Sequence, residues 1–265
     1  MALPGVPEAL NALRRAGKRL LFVTNSATQS RRSLAAKLTK LGFEGVAEAD
    51  CITSASAAAA YLHANHPHCR TAYCVGEQGL IDELALVGIT AMGQGDTGGM
   101  QALVEEGFCD APIGEIDAVV VGLQMEGLSY QRLSKAAGYA FDRSRPFIAT
   151  NSDENWPGGL GVLLPGAGAC VAFVACAAER QPDVYVGKPS RDLARLLVKL
   201  HALEPRFTLM VGDRTNTDIC FGKSVGFRTL LVLSGCHTLD DALRAPAKSA
   251  PDYILPSLAD LAAQL

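Results

Sequence analysis

Leu209-Met210-Val211 is an apolar run that stops at Gly212, and two carboxylates, Asp213 and Asp218, follow it. Such a run reads as a strand buried on both faces, as in parallel sheets covered by helices. Asp213 and Asp218 then fall on the loop and first helical turn beyond the strand. Open α/β sheets bind ligands at the carboxyl ends of their strands. Hard oxygen ligands on a loop there suit Mg2+. The same residues also describe a capped helix, with Asp213 or Thr215 as N-cap and Asp218 near the positive end of the helix dipole. Taken alone, the stretch supports both readings equally.

The same order of elements recurs along the chain. Arg19-Leu20-Leu21-Phe22-Val23 reads as a strand leading into Thr24-Asn25-Ser26, with a helix carrying Arg31, Arg32 and Lys37 beyond. Hydroxyls and N–H groups at a helix N-terminus form an anion site; an N-cap is the plainer reading of a lone Thr-Asn-Ser. Val184-Tyr185-Val186-Gly187 is a strand ending at Lys188, with Pro189 expected at the first position of the next helix. A lysine fixed there offers a point charge to phosphate or carboxylate; a solvated surface lysine is the alternative. Further strands are expected at 71–76, 118–122, 146–150, 228–233 and 252–255, and helices at 4–17, 55–65, 79–88, 129–139, 168–179, 191–203 and 257–264. Three strand ends thus carry a hydroxyl, a cation and a carboxylate pair, which is what a phosphoryl group needs around it.

Charge and cysteine usage narrow the class. A net charge of -3 gives no reason to expect nucleic acid or an anionic membrane as partner. No apolar run is long enough to span a bilayer. The opening residues lack the basic and apolar regions of a signal peptide. The 8 cysteines are scattered without a C-x-x-C pair and read as reduced thiols of a cytoplasmic protein.

Three other clusters carry weaker signals. His63, His66, His68 and Cys69 read as a polar helix end and loop, because zinc sites draw on more widely separated ligand pairs. Asn151 to Pro157 reads as a polar loop whose Trp156, the only tryptophan, is as well suited to a partly exposed contact surface as to the core. Pro165-Gly166-Ala167-Gly168-Ala169 has the look of a phosphate-binding glycine loop, but Val171 breaks the dinucleotide fingerprint.

Phe22-Val23-Thr24-Asn25-Ser26, Val186-Gly187-Lys188-Pro189-Ser190 and Val211-Gly212-Asp213-Arg214-x-x-Thr217-Asp218-Ile219 together resemble the second, third and fourth motifs of the haloacid dehalogenase-like phosphatases. The branch is that of 4-nitrophenylphosphatase, phosphoglycolate phosphatase and pyridoxal-phosphate phosphatase. Pro4-Gly5, Ile148-Ala149-Thr150-Asn151-x-Asp153 and Pro165-Gly166-x-Gly168 match patterns of the same branch.

The resemblance covers essentially the whole chain and implies an α/β fold. A Rossmann-like parallel-sheet core would be formed by 1–69 and 183–265, with an α/β cap inserted at 70–182. It implies a Mg2+-dependent hydrolysis of a small phosphorylated metabolite. Thr24 would hydrogen-bond the phosphoryl oxygens, and Asn25 and Ser26 would cradle the phosphate. Lys188 would neutralise nucleophile and phosphate. Asp213 would ligate Mg2+, and Asp218 would support the metal shell or hold Lys188. Trp156 would lie in the cap's specificity loop and touch the leaving group. Relatives dimerise through the cap. Position 124 is Gln where the branch often has Asp, so the cap's chemistry does not carry over intact.

The family's first motif, Asp-x-Asp-Gly, supplies the nucleophile and the general acid. It stands roughly ten residues before the Pro-Gly pair in this branch. No Asp-x-Asp occurs anywhere in the chain, and Pro4 follows Met1 closely. The resemblance therefore implies that the first core strand, between those ending at Thr24 and Asp213, is absent, leaving two neighbours without a ladder partner. The expectation is an N-terminally truncated phosphatase, inactive as it stands. The alternative is a non-catalytic phosphate-binding or regulatory protein. A nucleotide-binding oxidoreductase using Pro165 to Ala169 is a third reading, with an incomplete fingerprint.

Overall fold

Five strands form a wholly parallel sheet in the order Thr90–Met92, Thr71–Val75, Ala118–Val121, Phe147–Ala149, Val184–Tyr185. The computed structural model describes residues 2–110, 114–158 and 161–264. By packing these divide into two units, one of Val23–Leu34 with Cys51–Gly187, the other of Met1–Phe22, Ala35–Asp50 and Lys188–Leu265.

The five-stranded sheet belongs to the first of these units. Its central strands are apolar at successive positions because helices cover both faces, and Ala118–Val121 and Phe147–Ala149 are buried throughout. Tyr130–Phe141 and Ala167–Ala177 pack against the sheet and each other through Ala136, Ala137, Ala140, Cys170, Val171 and Val174. Side chains this small let helix and sheet approach closely around Phe147, which is fully buried and contributes about 2–3 kcal/mol. Ser54–Asn65 and Gln78–Leu86 pack on each other through their own buried alanines and leucines. Ser54–Asn65 opens with a capping box: the Thr53 hydroxyl accepts from Ser56 N–H, and Ser56 Oγ accepts from Thr53 N–H, both at 3.1 Å.

The second unit holds a three-stranded parallel sheet in the order Leu209–Gly212, Arg228–Val232, Tyr253–Leu255. Arg228–Val232 is central and buried beyond its first residue. Leu209–Gly212 is an edge strand with Leu209 38% exposed. Helix Arg191–Leu200 buries Leu193, Ala194 and Leu197, one face at helical spacing. Helix Val6–Arg15 packs on the helical turns Leu258–Gln264, and Gly17, at φ +77°, lies just past its last turn.

The architecture is the mixed α/β fold with parallel sheets that the strand pattern predicts. Among the described residues Phe22–Thr24 pairs only with Cys51–Thr53, in a two-stranded sheet, and Leu209–Gly212 pairs only with Arg228–Val232.

Several elements differ from the sequence expectation. The first strand is Phe22–Thr24 rather than 19–23. Asn155–Pro157 is not loop but one arm of an antiparallel hairpin with Leu163–Pro165, pairing Trp156 with Leu164. Strand Thr90–Met92 and helices Met100–Glu105 and Leu239–Arg244 carry too little periodicity to be foreseen. Pro189 stands before the N-cap rather than inside the helix, because Ser190 caps it by accepting from Leu193 N–H at 3.3 Å. No helix among the described residues is long and apolar enough to cross a membrane.

Candidate active site

Lys188 and Asp218 are brought together in the second unit. Lys188 Nζ donates to Asp218 Oδ1 at 2.7 Å, and both residues are buried. The second oxygen of Asp218 accepts from the backbone N–H groups of Asp213, at 3.2 Å, and Arg214, at 3.1 Å. One carboxylate therefore ties the lysine to the loop that leaves Leu209–Gly212. A charge-assisted bond of this kind is short and strong, and burial makes loss of either partner costly.

The local backbone explains the geometry. Thr215–Ile219 forms a wide π turn, with Ile219 N–H reaching Arg214 C=O at 3.2 Å, before helix Cys220–Lys223. Arg214, rather than Asp213 or Thr215, holds the N-cap position. The wide turn lets Asp218 fold back on the loop. A Cβ at Gly212 would lie 2.2 Å from Asp218 Cβ, so a side chain there would displace the carboxylate.

Asp213 is held by a second loop, the one following Arg228–Val232. Its Oδ2 accepts from Cys236 N–H at 2.9 Å, and its C=O accepts from His237 N–H at 3.0 Å. Burial, then the neighbouring Asp213 carboxylate, raises the Cys236 thiol above its usual range.

Thr24, Asn25, Ser26 and Trp156 lie in the first unit. Ser26 N–H donates to Thr24 Oγ1 at 3.1 Å, and Ser26 Oγ lies 2.8 Å from Thr28 Oγ1. The next helix begins only at Arg31, so Asn25 and Ser26, just past the strand's last residue Thr24, lie in a loop rather than a helix cap. Asn25 is fixed from three sides. Its C=O accepts from Ser54 Oγ at 2.5 Å and from Asn151 Nδ2 at 2.8 Å, and its Nδ2 donates to Asp153 Oδ2 at 3.1 Å. Trp156 is 37% exposed on its hairpin.

The sequence marks Asn151 and Asp153 only as part of a family pattern and does not set Ser54, Cys236 or His237 apart. Nothing in their local sequence marks them, since each acts through a partner distant in the chain. The glycines at 166 and 168 have a packing role: a Cβ at Gly166 would stand 2.1 Å from Asp153 C=O, and one at Gly168 2.8 Å from Ser152 C=O. That removes the main support for a dinucleotide loop.

Among the described residues no three His, Cys, Asp or Glu side chains converge to hold a metal ion, His63, His66, His68 and Cys69 included. Mg2+ requires less, since one or two carboxylates with waters and substrate phosphate oxygens suffice. Asp213, a hard oxygen donor on a strand-end loop, fits that requirement. Asp218 has both oxygens engaged.

Two family models match the chain. That of the haloacid dehalogenase-like hydrolases covers residues 1–90, and a second HAD-like hydrolase model covers 185–261. The human glycerol-3-phosphate phosphatase is 37% identical over 98% of the chain and 84% of its own length. The chain belongs to the haloacid dehalogenase-like hydrolases.

Solved structures of the family agree. A p-nitrophenyl phosphatase from Archaeoglobus fulgidus superposes with a TM-score of 0.82 at 30% identity, covering 100% of this chain and 93% of that one. A glycerol phosphate phosphatase from Mycobacterium tuberculosis, in complex with magnesium, gives 0.78 at 33% identity over 95% of this chain and 69% of that one. By family resemblance the chain is a phosphoric monoester hydrolase. The two matched ranges contain Thr24, Asn25, Ser26, Lys188, Asp213 and Asp218, and Trp156 lies between them.

Proposed function

We propose that this haloacid dehalogenase-like hydrolase is the body of a Mg2+-dependent phosphatase for a small phosphate monoester of the 4-nitrophenyl phosphate, phosphoglycolate or pyridoxal phosphate type, working through an aspartyl-phosphate. The observation that carries the reading is the buried Lys188–Asp218 pair bonded to the backbone of Asp213. In this reading the pair is a fixed cation beside the loop whose Asp213 carboxylate would hold the metal.

In this reading Lys188 neutralises the phosphate and the nucleophile, and Asp218 holds Lys188 in place. Thr24 hydrogen-bonds the phosphoryl oxygens, with Asn25 and Ser26 completing the cradle. Asp213 holds Mg2+, with Asp218 supporting it through the loop. Mg2+, when bound, offsets negative charge on the phosphoryl oxygens. Residues 70–182 act as the inserted cap that excludes water and selects the leaving group, with Trp156 contacting it. The relative named for glycerol 3-phosphate supports a small phosphorylated metabolite as substrate. Exposed Trp156, Leu163 and Leu164 on the hairpin, with Tyr130 and Phe173 nearby in the helical layer, support a homodimer through the cap. Neither nucleic acid nor membrane is a partner, and the setting is the cytoplasm.

No Asp-x-Asp pair occurs in the chain, so no residue here matches the nucleophile or general acid. That favours a second reading, a phosphate-binding or regulatory protein that does not turn over. Hydrolysis of 4-nitrophenyl phosphate with Mg2+ separates the two. The 265-residue chain should remain at the no-protein blank, and the chain extended upstream by a segment carrying Asp-x-Asp-Gly should turn over. An inert extended chain would leave the binding reading standing alone.

A further inference from the structure

We infer that His237 is a positioning residue for Asp213, clamping the carboxylate's loop into the shape that binds a divalent cation. The inference rests on the proposed role of Asp213 as metal ligand. Gly235, Cys236 and His237 follow strand Arg228–Val232, and each acts on Asp213 or its neighbour Thr215. A Cβ at Gly235 would stand 2.2 Å from Asp213 Oδ2, so the Asp213 side chain lies against the Gly235 backbone where only a glycine leaves room for it. Cys236 N–H holds that same oxygen at 2.9 Å. His237 N–H holds the Asp213 carbonyl at 3.0 Å.

The imidazole adds a side-chain hold on the same loop. His237 Nδ1 accepts from Thr215 N–H at 3.0 Å and lies 3.0 Å from Thr215 Oγ1. An Nδ1 that accepts from an N–H carries no proton, so the ring proton sits on Nε2. Thr215 is only 7% exposed and opens a helical turn, where N–H groups have no intrahelical acceptor. Without His237 that buried N–H loses its partner, and a buried unpaired donor is expensive. The loop can regain an acceptor only by moving, and Asp213 moves with it. His237 thus grips the loop on both sides of Arg214, at Asp213 by its backbone and at Thr215 by its ring. It needs no contact with substrate to do so.

The test uses the full chain and Mn2+ as probe, read by electron paramagnetic resonance, together with hydrogen exchange at the Thr215 amide. His237→Ala should weaken Mn2+ binding about tenfold, as when the outer partner of a metal ligand is lost, and should speed exchange at Thr215. His237→Asn, whose side-chain oxygen can take the place of Nδ1, should restore both. If His237→Ala does not fold, His237→Gln, with its acceptor one bond farther out, should show the same loss. Mn2+ affinity unchanged in His237→Ala, or unrestored in His237→Asn although Thr215 is again protected, would overturn the inference. Wild-type chain that binds Mn2+ no better than an Asp213→Asn variant would instead remove the metal role of Asp213, and the inference with it.

Discussion

Lys188 Nζ and Asp218 Oδ1 lie 2.7 Å apart, with the lysine 9% and the aspartate 4% exposed. The same carboxylate accepts from the N–H groups of Asp213 and Arg214. Removing Asp218 therefore takes the charged partner from a buried ammonium and the shared acceptor from two backbone N–H groups at once. Asp218→Ala should lower unfolding stability in urea by about 3–5 kcal/mol. A loss below about 1 kcal/mol, typical of an exposed pair, would show that Lys188 reaches solvent and is not held.

Gly235 marks the closest approach of the second loop to Asp213. Gly235→Ala puts a methyl 2.2 Å from Asp213 Oδ2, and the carboxylate must turn away. Mn2+ affinity of the chain should fall about tenfold or more, the scale for disturbing a ligand's surroundings. Calorimetric titration with Mn2+ checks this, and wild-type affinity in the variant would place the metal elsewhere.

Asp252 fastens the central strand of the smaller sheet. Its Oδ1 accepts from Lys223 Nζ at 3.0 Å, and its Oδ2 from Thr229 N–H at 2.8 Å and Thr229 Oγ1 at 2.9 Å. Partial burial alone would raise this carboxyl, but the bonds from Lys223 and Thr229 outweigh it and hold the group below the usual carboxylate range. A depressed folded value means the stabilisation is fully present above the unfolded value of about 3.9 and is lost as pH falls through the folded one. Asp252→Asn should cost about 1 kcal/mol near neutral pH. Urea midpoints of variant and wild type should then converge as pH falls below the unfolded value and on through the lower folded one. A gap that widens on acidification would reverse the sign assigned here.

Trp156 is the only tryptophan and stands 37% exposed on its hairpin. If this hairpin contacts the leaving group, pyridoxal phosphate or 4-nitrophenyl phosphate should quench its fluorescence saturably, whereas inorganic phosphate should not. Identical responses to ester and inorganic phosphate would detach Trp156 from substrate choice.

The strand ends were legible because each strand is a short apolar run stopped by glycine or by small polar residues, although the burial on both faces that such runs suggest is not met: Leu209–Gly212 is an edge strand and Phe22–Thr24 is only half-buried. Gly212 and Gly187 mark such ends at Asp213 and Lys188, and Phe22–Thr24 runs directly into its polar residues. The hairpin at Trp156 was not legible. Its strands, Asn-Trp-Pro and Leu-Leu-Pro, are short, exposed where described, and owe their order to pairing with each other rather than to burial. His237 stayed hidden for a related reason. A lone imidazole in a polar loop gains meaning only from Thr215, to which the fold alone brings it. Asn151 and Ser54, which both bond to the Asn25 carbonyl, are likewise joined only by tertiary packing. The π turn at Thr215–Ile219 replaced the expected cap because Asp218 was needed at the loop, facing Lys188.

The central claim is that Lys188 and Asp213 bind a phosphate monoester with a divalent ion, while no residue of the chain attacks it. Phosphorus NMR of 4-nitrophenyl phosphate with Mg2+ and the 265-residue chain reads both halves in one experiment. The ester resonance should broaden with wild type and not with Lys188→Met, and no inorganic phosphate should accumulate. Inorganic phosphate appearing at a rate that Asp213→Ala abolishes would contradict the missing nucleophile, and an ester line as sharp with wild type as with Lys188→Met would contradict the site itself.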